Sequence, residues 1–496
     1  MEDPKRLVLA FALVMLILFL WQVLFLPKEP VKKMKEEITS NLKAPAQVPA
    51  KVEAVPRGEE WQLENEKLLI KFSNYGATIR SVYLKEYRCE LLKGDNYFSL
   101  RIRDGNQEFS LDTIIWSVKQ ESARITFSCQ DSHFLITRSY SLEDDYQLSM
   151  TITEKPLGGL ATAPRNFLLT FDRGLAFTEK DTGEEYNHFR ILLKRDKEFS
   201  DIPIRKIKGV VKERGNLSWL GFTTKYFLLV IRGKIDSLLF QPSLNRRIKS
   251  EFFLTSEPEG EARLYLAFYP LKYPFLAQKG AELKNAVRLG WPRFLSLAIL
   301  RLLLLLHSLL KNYGLVIIIF SFLMKGLLFP LTRFQLKEMK KWQQLQPKIE
   351  ELKKRYKDDP KTLNQEMMRL YRVHQMNPLS GCLPLLFQIP IFWALYSVLR
   401  STFELRQASF VFWLKDLSQK DPFYVLPVLM GLSFLFQNLL TSQDKKNLFM
   451  TFFFPIFLTV IFLNFPSGLQ LYWLTFNLLS LVESFIVYRG GKIWKR

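Results

Sequence analysis

Hydrophobic patterning divides the chain into three regimes. The first is one apolar run, Leu7 to Leu26, interrupted only by Gln22 and preceded by Lys5 and Arg6. A run of about 20 apolar residues suits a membrane span. Pro27, Lys28 and Glu29 follow it rather than a small-residue cleavage site, so residues 1–27 are expected to form an uncleaved anchor. Residues 28–56 hold Pro30, Pro45, Pro49 and Pro56 among Lys, Glu and Ala, a composition that cannot bury a core and reads as a linker.

From Trp61 to Leu276 the period changes to two. Leu68, Ile70 and Phe72 alternate with their neighbours, as do Ile125, Phe127 and Cys129; Phe134, Ile136, Tyr140 and Leu142 follow, then Tyr146, Leu148, Met150 and Ile152. Asn74-Tyr75-Gly76, Glu143-Asp144-Asp145 and Asp172-Arg173-Gly174 punctuate the runs as turns. Many short strands over residues 57–285 predict a large β-sandwich. Sugar epimerases use long sandwiches, but their chemistry needs a histidine acid and a carboxylate base in one cleft. His133 and His188, the histidines of this region, sit in no recognisable motif, so binding or scaffolding is the expected role.

The third regime is helical. Trp291 to Leu310 is apolar but carries Arg293, Arg301 and His307 and abuts the next apolar run, Asn312 to Arg333. After that run comes a densely basic stretch with Lys337, Lys340, Lys341, Lys348, Lys353, Lys354, Arg355 and Lys357, and positive loops stay cytoplasmic. Were 291–310 to span, a chain with a cytoplasmic N-terminus would place that stretch outside. Residues 286–311 are therefore expected to form an amphipathic interfacial helix, and 312–333 the second span. In 334–378, Leu345, Ile349, Leu352 and Tyr356 recur at helical spacing, Asp358-Asp359-Pro360 turns, and Leu363, Met367 and Leu370 line a return: a helical hairpin. Four more spans are expected within 379–488, with an amphipathic piece at Phe410 to Leu417, and 489–496 is a basic tail. The fold class read here is a polytopic α-helical membrane protein of six spans with a large all-β domain.

The net charge of +22 would serve nucleic acid, anionic lipid or a ribosome equally. Its position beside apolar spans assigns it to topology and lipid contact, so no direct nucleic-acid recognition is expected. Cys89, Cys129 and Cys382 show no CxxC spacing and the histidines are scattered, so neither a metal site nor a cofactor is expected. Cys89 and Cys129 could pair in an oxidising compartment, or stay as buried thiols.

Candidate chemistry centres on Lys325, a cation inside an apolar span with the hydroxyl of Ser321 one turn earlier. Such a charge costs roughly 2.5–3.5 kcal/mol on insertion scales. It either snorkels toward Arg333, roughly 12 Å away at helical rise, or serves as a functional cation in a wet cavity. Gln388, Gln437, Asn438 and Asn477 add polar groups on other spans, and interhelical hydrogen bonding accounts for those amides. The ammonium has no evident carboxylate at its own depth, Glu483 near the cytoplasmic end being the one candidate; the expectation is a hydrated, unpaired cation.

The helical region resembles the YidC/Oxa/Alb family of membrane protein insertases, in its Gram-negative six-span form. The residues that carry the resemblance are NYGLVIIIFSFLMKGLLFPLT (312–332), LQPKIEELKKRY (345–356), QEMMRLYRVHQMNPLSGCLPLLFQIPIFWALY (365–396), ELRQASFVFWLKDLSQKDPFYVLPVLMG (404–431) and FPSGLQLYW (465–473). It is looser in 57–285, resting on pieces such as WLGFTTKYF (219–227). The resemblance implies a five-helix insertase core and a periplasmic β-supersandwich of mutarotase-like fold. It also implies an inner-membrane location and a groove open to cytoplasm and lipid.

By motif position Lys325 stands where the family usually has arginine, Ser321 at a common groove hydroxyl, and Trp473 where tyrosine is frequent. Lysine keeps the charge but not the bidentate fork. The implied work is physical, not enzymatic: the cationic groove attracts the acidic or polar outer segment of a nascent membrane protein, and the apolar segment slides into the bilayer along Phe387, Phe392, Phe452, Phe453 and Phe457. The Sec translocon is a further partner the resemblance raises, as is the ribosome, through the cytoplasmic loops and basic tail. Two rival readings are an ion- or proton-coupled transporter, which predicts inverted repeats and midplane carboxylates, and a membrane-anchored sugar-binding protein.

Overall fold

The structure, a computed structural model, describes residues 58–104, 107–130, 134–143, 145–157, 166–196, 198–215, 217–243, 247–255, 260–280, 282–374, 383–441 and 448–489. The anchor at 1–27, the linker at 28–56, His133, Cys382 and nearly all of the tail lie outside the described residues. The described chain forms two compact units that divide between Ala286 and Val287.

The first unit is all-β in its core, with a nine-stranded, a six-stranded and a four-stranded sheet. Alternation fixes its faces: Leu68, Ile70 and Phe72 are fully buried while Lys71 between them is exposed. Phe134–Leu142 and Gln147–Pro156 pair antiparallel with Met150 opposite Tyr140. Phe72 of the four-stranded sheet meets Tyr140 of the nine-stranded sheet at 4.6 Å between ring centres, and Phe127 packs edge-on against the same tyrosine. The six-stranded sheet packs through Phe171 against Phe222, 5.0 Å between centres. Large rings thus fill the space between sheets, each burying a large apolar area. Arg138 occupies an inward position of the Phe134–Leu142 strand, its Nη2 donating to Phe98 O at 2.6 Å. Cys89 and Cys129 lie on strands of different sheets. Two short helices complete the unit, α1 (Thr182–His188) and α2 (Tyr273–Lys279).

The second unit is helical: α3 (Arg293–Leu310), α4 (Tyr313–Arg355), α5 (Pro360–Val373), α6 (Leu383–Ser401), α7 (Val425–Thr441), α8 (Leu448–Phe462) and α9 (Ser467–Arg489). Among the described residues, Arg293–Leu310, Tyr313–Phe334 and Ser467–Ile486 are long and apolar enough to cross a membrane, and Val425–Leu440 and Phe452–Phe462 are shorter apolar helices. On α3, Ser296, Ile299, Leu300 and Leu303 are buried while Phe294, Leu305 and Leu309 are exposed, so the helix is two-faced.

The second span and the first hairpin helix are one element: α4 runs 43 residues without a break, through both Pro330 and Pro347. Nothing in Arg333-Phe334-Gln335-Leu336-Lys337-Glu338 breaks a helix. The stretch Phe410 to Leu417, expected as an amphipathic piece, forms turns and irregular backbone with no helix. Gln407 and Phe412 take left-handed φ of 55° and 49°, which no continuous helix accommodates. This loop is instead organised by buried Asp421, which accepts from Trp413 Nε1 at 2.9 Å and from the backbone N–H of Leu426 at 2.8 Å.

The distal part of α4 folds against α5 through Leu345, Ile349, Leu363, Met367 and Tyr371, with Leu352, Tyr356 and Leu370 around them. Asp359 caps α5, accepting from Lys361 N and Thr362 N.

Candidate functional site

Four helices, α4, α6, α7 and α9, line an open-sided cavity of about 260 Å³. Its polar lining is Lys325 and Thr332 from α4, Gln388 from α6, Gln437 from α7, and Trp473, Asn477, Ser480, Glu483 and Ser484 from α9; Leu328, Leu331, Leu336, Phe434 and Phe476 complete it. Helical spacing explains the richness of α9: Trp473, Phe476, Asn477, Ser480, Glu483 and Ser484 form one stripe.

Lys325 is not a lone cation. Its Nζ lies 2.7 Å from Glu483 Oε2, donates to Ser480 Oγ at 2.8 Å, and sits 5.0 Å from the centre of the Phe476 ring. Thr332 Oγ1 donates to the other carboxylate oxygen of Glu483 at 3.1 Å. The side chains of Lys325 and Glu483 are only 12% and 11% exposed. The expectation of an unpaired cation is therefore corrected. Depth along the sequence misled: the flexible four-carbon stem of lysine carries its charge along the helix to a carboxylate set deeper toward the end of α9. A buried pair of this kind is costly to break by removing one partner, because the other charge stays stranded.

Of the seven groove residues expected from sequence, five line this cavity: Lys325, Gln388, Gln437, Trp473 and Asn477. Gln388 Nε2 reaches Tyr472 OH at 3.5 Å. Trp473 Nε1 and Asn477 Nδ2 are buried donors with no protein acceptor among the described residues. Ser321 is elsewhere: fully buried, its Oγ donates to Ile317 O at 2.7 Å, four residues back in its own helix. A serine hydroxyl in a helix interior commonly returns to the i−4 carbonyl in this way. Asn438 does not line the cavity either, being next to Gln437 and turned 100° around α7.

The aromatic residues expected to form a slide divide likewise. Phe452 is 43% exposed on α8, and Phe453 and Phe457, half-buried, stack with ring centres 6.0 Å apart. Phe392 does not join them; it packs in a cluster with Tyr396, Phe462, Phe465 and Trp473. The Phe387 side chain lies outside what is described. Sequence reasoning did not place Thr332 and Ser480 in the site, and raised Glu483 only as the one candidate carboxylate for Lys325. The α9 stripe was the signal for Ser480 and Glu483, at three-residue steps from Asn477.

The arrangement offers one cation, one anion, several amide and hydroxyl groups and two unused N–H donors inside an otherwise apolar helix bundle. It can give hydrogen-bond partners to a polar segment that would otherwise meet hydrocarbon. Among the described residues no group of three or more His, Cys, Asp or Glu could hold a metal ion.

Comparison with known proteins places both units. A family described as the 60Kd inner membrane protein matches residues 305–494, and one described as the YidC periplasmic domain matches residues 60–302. The membrane protein insertase YidC of Geotalea daltonii is 30% identical over 525 residues, spanning 97% of this chain and 98% of that protein. That of Geobacter sulfurreducens is 37% identical over 306 residues, spanning 60% of this chain and 57% of its own length. A solved structure titled as an active YidC insertase with its first transmembrane domain resolved is 19% identical, covers 86% of this chain and has a TM-score of 0.42. With sequence similarity to insertases running along nearly its whole length, the chain belongs to the YidC membrane protein insertase family.

Proposed function

We propose that this chain is a membrane protein insertase that receives nascent membrane proteins in the α4/α6/α7/α9 cavity and releases their apolar segments into the bilayer. The observation that carries the reading is end-to-end similarity to insertases in a chain whose helical unit holds a polar cavity. The physical barrier to insertion is the passage of a polar flank through hydrocarbon, at several kcal/mol for each unsatisfied group. A cavity lined by Lys325, Gln388, Gln437, Trp473 and Asn477 gives that flank partners part of the way, while the client's apolar segment partitions into lipid past Phe452, Phe453 and Phe457. Partitioning drives the process and no bond is made or broken.

The accompanying topology is six spans in the bacterial inner membrane, with the N-terminus cytoplasmic, the β unit periplasmic and α3 at the outer interface. In that orientation the α4–α5 hairpin, the 441–447 loop and the basic tail face the cytoplasm. They are the surfaces for a ribosome, and the Sec translocon is a lateral partner.

Site-specific photocrosslinking tests the reading. Probes at Phe434 and at Phe452 should capture a stalled single-span nascent chain, the first through its polar flank and the second through its apolar segment. Capture at neither position, by a protein that is folded in the membrane, overturns the reading.

A further inference from the structure

The ion pair raises a question that the insertase reading leaves open: why a cation meant for clients is already engaged. Lys325 carries three N–H donors, and Glu483 Oε2 and Ser480 Oγ account for two. An acceptor arriving in the cavity can therefore bond the ammonium before Glu483 leaves. Because lysine is a point charge and not a planar fork, one carboxylate oxygen can replace another without a required geometry. The pair also faces a cavity instead of a packed seam, so an arriving group has room. Trp473 and Asn477 line the same cavity, and their Nε1 and Nδ2 are buried donors with no acceptor among the described residues; Asn477 is only 5% exposed.

We propose that Glu483 is a resident stand-in for a client carboxylate: it occupies Lys325 in the resting chain and exchanges with an Asp or Glu of the entering segment. This rests on the insertase reading, in which the cation already attracts acidic segments, and adds the resident competitor that such a segment must displace. The ammonium never passes through an unpaired state, and the released Glu483 keeps the bond from Thr332 Oγ1, so exchange carries less of the penalty than opening the pair alone. Trp473 and Asn477 take the client's second carboxylate oxygen or a nearby backbone carbonyl. Clients with an acidic flank can make the exchange, whereas clients whose flank is polar but neutral must enter beside an intact pair.

The test uses the full-length protein in proteoliposomes, with a benzoyl-phenylalanine probe at Phe434 and two single-span clients differing by Asp or Asn in the flank. Wild type should capture the Asp client several-fold more than the Asn client. Glu483→Gln removes the competitor, so capture of the Asp client should rise a further several-fold, with the Asn client little changed. The charge swap Lys325→Glu with Glu483→Lys keeps a bridge but should abolish the Asp preference in favour of a Lys-flanked client. An unchanged Asp-to-Asn ratio in Glu483→Gln, or retention of the wild-type preference by the swapped pair, overturns the proposal and marks the bridge as purely structural. If Glu483→Gln does not fold, Thr332→Val decides: loosening Glu483 should raise the ratio, and no change overturns the idea. Wild type capturing neither client at any position would instead remove the insertase reading.

Discussion

Gly431 of α7 faces Thr459 of α8 so closely that a methyl group on Gly431 would lie 2.0 Å from the Thr459 Oγ1. The glycine is a contact residue: its missing side chain lets two apolar helices approach, as small residues do in membranes. Gly431→Ala should lower stability by about 1–3 kcal/mol, the usual cost of overpacking. Adding Thr459→Ala should return most of that loss, since it removes the obstructing oxygen. Thermal unfolding in detergent of the two variants checks both steps.

Removing the cation alone confounds fold with function. Lys325→Met strands the buried Glu483 carboxylate and should destabilise by about 3–5 kcal/mol. Lys325→Met combined with Glu483→Met should recover stability but not insertion of acid-flanked clients. Lys325→Arg should support both. Unfolding curves paired with insertion assays separate the two losses.

Glu185 gives the β unit a pH dependence of definite sign. Burial pushes its carboxyl up to about 7, against which hydrogen bonds from the Glu179 backbone and Thr178 act only in part. The folded state therefore holds a proton that the unfolded chain releases near the ordinary carboxylate range. The contribution of Glu185 is most favourable below about 4.5 and is lost as pH rises to about 7, by up to about 3 kcal/mol. Glu185→Gln should flatten that slope. Amide exchange of residues 182–188, followed from pH 4.5 to 7.5 in both proteins, reads the difference.

Leu363 is fully buried between α4 and α5. Leu363→Ala should cost about 2–4 kcal/mol of local stability. Amide exchange over residues 345–371 should rise sharply while that of α9 stays at the wild-type level.

Most of the architecture was legible in the sequence because it follows from periodicity. Leu68, Ile70 and Phe72 announce a strand face, and Leu345, Ile349, Leu363 and Met367 announce a hairpin seam, since burial of one face forces those spacings. Periodicity does not encode what a long side chain reaches. Lys325 and Glu483 lie 158 positions apart, and a reading by depth kept them separate. Ser321 shows the converse. Its place one turn from Lys325 suggested a shared role, yet its hydroxyl satisfies a carbonyl of its own helix, a choice only the rotamer reveals. Arg138 is a third case: an inward register position occupied by a cation that the alternation of apolar neighbours would not have chosen.

The unbroken α4 helix has a mechanical corollary. At 1.5 Å per residue its path is about 65 Å long, with Lys325 in its first third and the hairpin built on its far end. Whatever grips that far end also holds, through one continuous backbone, the residue proposed to meet the arriving chain. A docking event and the posture of the receiving charge are then two ends of a single lever.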